Sequence, residues 1–371
     1  MQAGLPCFQY TLARDCATLE GVDHAVATAQ RVGADGVVAF GGGNAMDAAR
    51  AVAVVLANGG AAADFVAVVG DEDDGVPELK LQQDAQPLTA VPLLLVPTIT
   101  GSGAEVARNT LLLDEDAETK LLFAPGRTVV PKAVIVDPTL MLTVPMRESV
   151  QGALTALGQC LESYLLGCTD DETDVLALEG LEAVASALAA PLKEGKLNLK
   201  DAVLPFAQAS LLSGIAANSS GTGAAQALAV SMGGVSDLPH AQVTTAFLPF
   251  VFDRYAELAS ENEGDPFFDD LREKLENAAD RLTAASGFQG ASVSVWLRYV
   301  ITRFGLPTAS TLELEESLLN GLVDRAVQYQ DDSMQVARSD DNGAIIEKDD
   351  LRAIIDSAVL VVDPSKESKD K

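Results

Sequence analysis

GGGNAMDAAR, residues 41–50, follows the apolar run DGVVAF at residues 35–40 and decides how the first part of the chain folds. A β-branched and aromatic run ahead of glycines predicts a buried strand, and the residues behind the glycines predict a helix. Three glycines let the backbone approach a ligand closely, and a helix N-terminus offers N–H groups and the positive end of its dipole. The stretch therefore predicts a turn that either holds a pyrophosphate or only reverses the chain.

A second glycine-containing turn follows another apolar strand. PTITGSGAEV, residues 97–106, comes directly after VPLLLV, and its Thr98, Thr100 and Ser102 supply hydroxyl groups. In parallel sheets, ligands bind at the carboxyl ends of the strands, where such turns lie. Two turns of this kind at consecutive strand ends favour phosphate binding over a simple reversal of the chain.

The organisation of the chain changes near residue 142. Before it, apolar runs that predict a parallel sheet covered on both faces occur at 35–40, 91–97, 120–125 and 132–138. After it, helical periodicity predicts helices at 147–167, 173–190, 199–218, 240–260, 266–286, 290–304, 312–328 and 349–360. We therefore predict an α/β nucleotide-binding domain over 1–141, an all-α domain over 142–361 and a disordered charged tail over 362–371. The ligand site is expected in the cleft between the two domains.

The composition limits the partners of the chain. Its 371 residues include 54 acidic and 25 basic side chains, which gives a formal net charge of −29. Nucleic acid and anionic membrane surfaces are repelled by such a charge. The sequence shows neither a secretory signal pattern nor the roughly 18 uninterrupted apolar residues of a membrane span. We expect a cytoplasmic protein without nucleic-acid or membrane partners, and association into a homo-oligomer stays open.

Four stretches of the chain together carry a family resemblance: GGGNAMDAARA, PTITGSGAEV, VDPTLMLTVPMRESVQGALTALGQCLESY and GTGAAQALAVSMGGVSDLPHA. Their order and approximate spacing resemble the iron-containing (group III) alcohol dehydrogenase family. The resemblance implies a dehydroquinate synthase-like architecture, with a Rossmann-like α/β domain followed by a helical metal-binding domain. It also implies NAD(P)-linked interconversion of small-molecule alcohols and carbonyl compounds.

The resemblance assigns a set of residues to the cofactor. In the family, the glycine loop holds the pyrophosphate, hydroxyl groups lie near the cofactor, and a lysine lies near the cleft. The matching positions here are Gly41, Gly42, Gly43, Asn44, Asp47, Thr98, Ser102 and Lys120. Asn44 replaces the usual serine, and a solvated surface lysine explains Lys120 equally well. NAD and NADP both remain open as the cofactor.

The metal-binding positions depart from the family pattern. Relatives bind a divalent ion with an Asp and a His four residues apart on one helix, a second His on a later helix and a third His fourteen residues beyond it. An i, i+4 pair lies on one helical face and can hold one ion together. The four positions carry Thr155, Gln159, Gln226 and His240 in this chain.

The donor chemistry at these positions argues against a transition metal. The chain contains only two histidines, His24 and His240. Thr and Gln offer neutral oxygens, whereas imidazole and carboxylate are the groups that bind Fe²⁺ and Zn²⁺. We predict that iron or zinc is bound weakly or not at all, which makes metal-dependent turnover doubtful. His240 is a candidate catalytic proton donor, although simple packing behind Pro239 explains it equally well.

Three functions follow from the retained and the altered positions. The first is an NAD(P)-dependent alcohol, aldehyde or hydroxyacid oxidoreductase with a degraded metal site, and the alternative is an inactive relative, a pseudoenzyme, that acts as a binding or oligomeric scaffold. The third is a relative in the same superfamily that reduces or rearranges a substrate without iron. Relatives also open with a further β-α-β unit, whereas this chain begins near the family's next strand, at about CFQYTL. The resemblance thus implies an α/β domain that lacks its first β-α-β unit, through either a truncated sequence or a lost sheet edge.

Overall fold

The computed structural model describes residues 6–12, 17–69, 79–81, 88–108, 110–123, 129–165, 171–194, 196–221, 223–288, 292–312, 314, 319, 321–337 and 346–360. The chain forms two compact units, one of Met1–Thr98 with Ala104–Asp137 and one of Ile99–Gly103 with Pro138–Lys371. The first is α/β and the second is helical, which confirms the predicted fold class. The tail predicted over 362–371 lies outside the described residues.

A parallel sheet and two helices form the centre of the first unit. Its elements are α1 Leu19–Val32, β1 Val37–Gly41, α2 Gly43–Asn58, β2 Ala67–Val69, β3 Leu79–Leu81, β4 Leu93–Pro97, β5 Thr110–Asp114, β6 Thr119–Phe123 and β7 Ala133–Val134. Strand β4 lies between β1 and β7, and both pairings are parallel. Ala39 and Leu95 of the sheet form one core cluster with Met46, Ala49 and Ala53 of α2. Burial of these side chains fixes α2 against one face of the sheet.

The prediction of a sheet covered on both faces is wrong for the described residues. Val38 and Phe40 lie on the face opposite α2 and are 64% and 65% exposed. Because successive side chains of a strand point to opposite faces, β1 buries only the alternate residues, such as Ala39. The apolar side chains on this face of β1 are therefore exposed, whereas Val96 on the same face of β4 is 8% exposed.

The run at 120–125 was also wrongly assigned to the parallel sheet. Strand β6 pairs antiparallel with β5, a strand that the sequence did not predict. The turn between them is closed locally, because Oδ1 of Asp114 accepts hydrogen bonds from the N–H groups of Asp116 and Ala117 at 3.0 and 3.1 Å. Such an Asx turn joins two strands without any crossover.

In the described part of the second unit, helices make up the regular structure, apart from short 3₁₀ turns. They are α3 Met146–Leu165, α4 Asp171–Glu194, α5 Leu199–Ser220, α6 Ala224–Val235, α7 His240–Glu261, α8 Pro266–Ser286, α9 Val293–Phe304, α10 Leu322–Ala337 and α11 Lys348–Leu360. Helix α6 was not predicted, because its small residues and glycines resemble a loop. Of the helix predicted over 312–328, the residues from Leu322 onward lie in α10, and most of the residues between the 3₁₀ turn at Ala309–Thr311 and Gly321 lie outside the described ranges.

Helix α4 is apolar enough to be compared with a membrane span. Its residues 172–194 are long and apolar enough to cross a membrane, and 50% of this apolar stretch is buried inside the protein. The helix packs against α3, α5 and α8 of its own unit. A helix that packs on several neighbours needs an apolar surface on several sides, which explains this composition.

Helix α3 is the central helix of the second unit and carries the positions of most interest. It packs against α4, α5 and α7, and its residues from Ser149 onward are buried. Its buried polar residues include Gln151, Thr155, Gln159 and Glu162. Their spacing of four, four and three residues places them on one face of the helix. A polar stripe on a buried helix requires internal hydrogen-bond partners.

Candidate functional site

The glycine turn joins β1 to α2 at the carboxyl edge of the sheet. Gly42 is the N-cap residue of α2 in an extended conformation, and no side chain caps the helix there. The first hydrogen bond of the helix runs from the N–H of Met46 to the carbonyl of Gly42, at 3.1 Å. A helix start without a side-chain cap offers backbone N–H groups to an anion. This geometry suits the pyrophosphate role predicted for residues 41–43.

The first glycine of the turn also has a packing role. A Cβ atom on Gly41 would lie 2.6 Å from Cβ of Ala45, so only glycine lets β1 approach α2 this closely. The N–H of Thr98 donates to the carbonyl of Gly41 at 3.0 Å, and Gly41 pairs with Pro97 in the sheet register. The structure therefore brings the glycine turn and Thr98 together, as adjacent parallel strands require.

A buried charge cluster lies one turn into α2. Arg50 is fully buried, with Nη1 at 3.4 Å from Oδ1 of Asp47, and its Nη2 donates to the carbonyl of Ala104. Burial raises the pKa of Asp47 to about 6, opposed by the charges of Arg50 and Lys120 and by the N–H of Leu111. Asp47 and Lys120, both assigned to the cofactor, thus interact electrostatically. The sequence analysis missed Arg50. Its position three residues after Asp47 on a predicted helix could have indicated an ion pair between them.

The segment 99–103 packs within the helical unit. The N–H groups of Gly101 and Gly103 both donate to Oγ of Ser210 on α5, at 2.9 and 3.3 Å. Both glycines have positive φ, and a Cβ on Gly101 would lie 2.5 Å from the carbonyl oxygen of Gly152. These two glycines are therefore explained by packing of the segment, and Ser210 was not foreseen from the sequence.

Two of the four positions that the family resemblance assigns to the metal, Thr155 and Gln159, lie on α3. The hydroxyl of Thr155 donates to the carbonyl of Gln151 at 2.9 Å. The Nε2 of Gln159 donates to the carbonyl of Ser102 at 3.4 Å, and its Oε1 accepts from Oγ of Ser213 at 2.9 Å. Both side chains therefore have hydrogen-bond partners within the protein.

The other two metal positions contact each other. Gln226 lies on α6 and His240 is the first residue of α7, with Pro239 as its N-cap. Oε1 of Gln226 lies 2.9 Å from Nε2 of His240. The second histidine of the chain, His24, lies on α1 of the other unit with a side chain that is 70% exposed.

Glu162 completes the polar stripe and anchors α6. Its Oε1 accepts from the N–H of Ala225 at 3.0 Å and from the hydroxyl of Tyr255 at 3.4 Å. Burial raises the pKa of Glu162 to about 7, opposed by hydrogen bonds from the first N–H groups of α6. Gly223 has no room for a side chain, because a Cβ there would lie 2.3 Å from this carboxyl group. Glu162 thus fixes the start of the helix that carries Gln226.

Within the described ranges, no group of three or more His, Cys, Asp or Glu side chains is arranged to hold a metal ion.

Two family models match the chain. The model described as "Iron-containing alcohol dehydrogenase" matches residues 1–138, and the one described as "Fe-containing alcohol dehydrogenase family, C-terminal" matches residues 149–308. The chain belongs to the iron-containing alcohol dehydrogenase family.

Alcohol dehydrogenase 4 of Saccharomyces cerevisiae is 32% identical over 215 residues, which are 58% of this chain and 52% of the yeast protein. The NAD-dependent methanol dehydrogenase of Bacillus methanolicus is 26% identical over 255 residues, 66% of this chain and 61% of that protein.

The solved structures of relatives agree with the fold. A mutant of ADH/D1, an archaeal halo-thermophilic Red Sea brine pool alcohol dehydrogenase, superposes with a TM-score of 0.76 at 21% identity. That comparison covers 96% of this chain and 85% of the other. At this identity it shows a shared fold. The chain spans about half the length of the first curated relatives that it matches.

Proposed function

We propose that this chain is an NAD(P)-linked oxidoreductase of small alcohols or carbonyl compounds that works without tightly bound iron or zinc. The single observation that carries the proposal is the hydrogen bond between Gln226 and His240. The side chains at two positions that bind the metal in relatives are hydrogen-bonded to each other in this chain. The proposal has two parts, a retained cofactor turn and a replaced metal site.

The glycine turn of the first unit supports the cofactor part. Gly42 begins α2 without a side-chain cap, and Thr98 is bonded to Gly41 at the same sheet edge. Asp47 and Lys120 place one negative and one positive charge near the first turns of the helix. Relatives include a dehydrogenase that is NAD-dependent by name. The roles of Asn44 and Ser102 remain predictions from the resemblance.

The donor set supports the second part, because it does not fit a transition metal. Thr155 donates its only hydroxyl hydrogen to its own helix. Gln159 uses its amide nitrogen and its amide oxygen on two different partners. Neutral amide and hydroxyl oxygens are poor ligands for Fe²⁺ and Zn²⁺. One imidazole alone does not hold such an ion tightly, so no step of the reaction is routed through a metal.

This replacement limits the chemistry. A bound dication stabilises a developing alkoxide, and the loss of one such electrostatic group typically costs a hundredfold or more in rate. Of the four family positions, only His240 carries a group that can give or take a proton near neutral pH. We assign His240 the role of proton donor to the carbonyl oxygen, and we expect turnover at least about a hundredfold below that of metal-containing relatives.

A second candidate function is a binding or oligomeric scaffold without turnover. The observation that favours it is the internal saturation of the family metal positions: Thr155, Gln159 and Gln226 all bond to protein atoms. The two candidates differ in whether the bound dinucleotide is ever oxidised or reduced.

A paired experiment tests both parts of the proposal. Purified protein is analysed for metal content and titrated with NADH and NADPH by fluorescence, and turnover is then followed with a panel of short aldehydes. We expect substoichiometric iron and zinc, saturable dinucleotide binding, and slow aldehyde reduction that chelators do not change. Stoichiometric metal would overturn the replaced site. Binding without any turnover would favour the scaffold, and no binding of either dinucleotide would refute the cofactor role.

A further inference from the structure

A closed circuit of hydrogen bonds joins the segment 99–103 to helices α3 and α5. Gly101 and Gly103 donate to Oγ of Ser210. The hydroxyl of Ser213 shares its single hydrogen between the carbonyl of Ser210 and Oε1 of Gln159, each at 2.9 Å. Nε2 of Gln159 donates to the carbonyl of Ser102, which lies in the segment and closes the circuit. The circuit contains no charged group.

We propose that Gln159 is a positioning residue for Ser102, the predicted cofactor hydroxyl, and that it holds the segment 99–103 in place without a metal. In the family pattern this position is the first histidine ligand of the ion. Here the same position, on the same face of the central helix, bonds to the segment instead. The inference rests on the proposed dinucleotide binding, since Ser102 matters to the cofactor only if a cofactor binds.

The side chain of glutamine suits this role because it provides a donor and an acceptor on one planar group. Gln159 is 8% exposed, so removal of its amide leaves the carbonyl of Ser102 and the hydroxyl of Ser213 with fewer partners in a buried region. A carboxylate at this position would accept from Ser213 but could not donate to Ser102. A methionine would fill the volume and supply neither a strong donor nor a strong acceptor.

The segment itself has little freedom to adapt. Gly101 has a φ of 121° and Gly103 a φ of 63°, and a Cβ on Gly103 would lie 2.5 Å from Cα of Gly214. Close packing on two helices fixes the path of the backbone at both glycines. Ser102 lies between them, and its carbonyl is bonded by Gln159. The bond from Gln159 therefore acts at the middle of a short segment whose two flanks are already held by Ser210.

The test compares Gln159→Met with a matched control, Gln330→Met. Gln330 is a buried glutamine, 2% exposed, on α10, and its Oε1 has no hydrogen-bond partner. Both variants lose a buried amide, but only one loses a bond to the segment. Hydrogen–deuterium exchange of a peptide covering residues 98–105 reports on the segment, NADH titration reports on the cofactor, and thermal unfolding reports on general damage.

We expect faster exchange of the segment in Gln159→Met than in Gln330→Met, and an NADH dissociation constant raised roughly two- to tenfold, the worth of one net hydrogen bond. Ser213→Ala should change both readouts in the same direction and by less, because the amide of Gln159 keeps its donor. Segment exchange equal to that of the control would overturn the hydrogen-bond role. Faster exchange with unchanged NADH affinity would overturn the positioning role.

Dinucleotide binding by the wild-type protein distinguishes failure of the proposed function from failure of the role of Gln159. If wild-type protein binds neither NADH nor NADPH, the cofactor function is refuted, and the positioning role for a cofactor is refuted with it. If wild-type protein binds and Gln159→Met binds equally well, the function stands and only the inference on Gln159 is lost.

Discussion

The Oε1 atom of Gln226 lies 2.9 Å from Nε2 of His240, across the fourteen residues that separate two metal positions of the family. With Oε1 as the acceptor, Nε2 carries the hydrogen and is a donor. A nitrogen in that state has no lone pair for a metal. The pair therefore has to separate, and the imidazole has to change tautomer or turn, before Nε2 could bind an ion.

Restoring the family ligands should restore metal binding. Thr155→Asp, Gln159→His and Gln226→His together add one carboxylate and two imidazoles to His240 at the positions that the resemblance assigns to the metal. This is the donor set that Fe²⁺ and Zn²⁺ prefer. We expect near-stoichiometric metal in the triple variant after incubation with Zn²⁺ and desalting, measured by mass spectrometry of the eluted ion. The control adds His240→Ala to the triple variant and should bind much less. No gain in the triple variant would mean that the register of these positions is wrong.

The unaltered protein should be insensitive to chelators. A ligand at a hundred times its dissociation constant stabilises the native state by about 2.7 kcal/mol, so removal of a tightly bound metal lowers the melting temperature by several degrees. Without a resident metal, we expect EDTA to change the melting temperature by less than about one degree. The triple variant loaded with Zn²⁺ is the positive control. A clear loss of stability of the unaltered protein in EDTA would contradict the replaced site.

The sequence predicted what depends on local pattern and missed what depends on tertiary contacts. Strands β1 and β4 and the turn at Gly42 follow from apolar runs that end in glycines. An apolar run predicts a strand but does not identify the strand with which it pairs. The prediction for β6 therefore named the parallel sheet, whereas β6 pairs antiparallel with β5. Ser210 lies more than a hundred residues from the glycines that it binds, and no spacing rule connects them.

The candidate site shows the same division. The assignment of Thr155, Gln159 and Gln226 to the metal positions rests on the family spacing in the sequence and stays a prediction. The bonds of Gln159 and Gln226 could not be predicted, since Gln159 bonds to Ser213 of α5 and to Ser102, and Gln226 bonds to His240 of α7. The bond of Thr155 is local, because its hydroxyl donates to the carbonyl of Gln151 four residues earlier. Glu162 is the clearest case: its acidity was visible, while its contact with the start of α6 required the packed structure.

The raised pKa of Glu162 predicts a pH-dependent stability. Its folded pKa of about 7 lies above the ordinary value of 4.5, so the folded state binds the proton more tightly than the unfolded chain does. This contribution to stability is fully present below pH 4.5 and is lost as the pH rises through 7, and it amounts to about 3 kcal/mol at most. Glu162→Gln should remove this dependence, so its stability relative to wild type should rise between pH 5 and pH 8. Parallel denaturation midpoints of the two proteins over this range would show that Glu162 does not titrate in this way.

Gly41 should tolerate a side chain only if Ala45 makes room for it. Gly41→Ala places two Cβ atoms at 2.6 Å, which forces β1 and the start of α2 apart and should weaken NADH binding. Ala45→Gly alone should have a small effect, and the double variant should regain most of the lost affinity. NADH titration of the three variants measures this. Failure of the double variant to recover, with a normal melting temperature, would point to a direct need for glycine at the cofactor rather than to packing.

Arg50 and Asp47 should be strongly coupled in stability. Arg50 is fully buried, and removal of one member of a buried ion pair typically costs about 3–5 kcal/mol because the other charge is left unpaired. We expect Arg50→Met to be strongly destabilising and the double variant Asp47→Asn, Arg50→Met to be less so. Denaturant unfolding of the four proteins gives the coupling free energy, which should be about 1–3 kcal/mol at pH 8. Because the pKa of Asp47 is about 6, its carboxyl is mostly protonated at pH 5, and the coupling should be smaller there. Equal coupling at the two pH values would mean that the pair interacts through packing rather than charge.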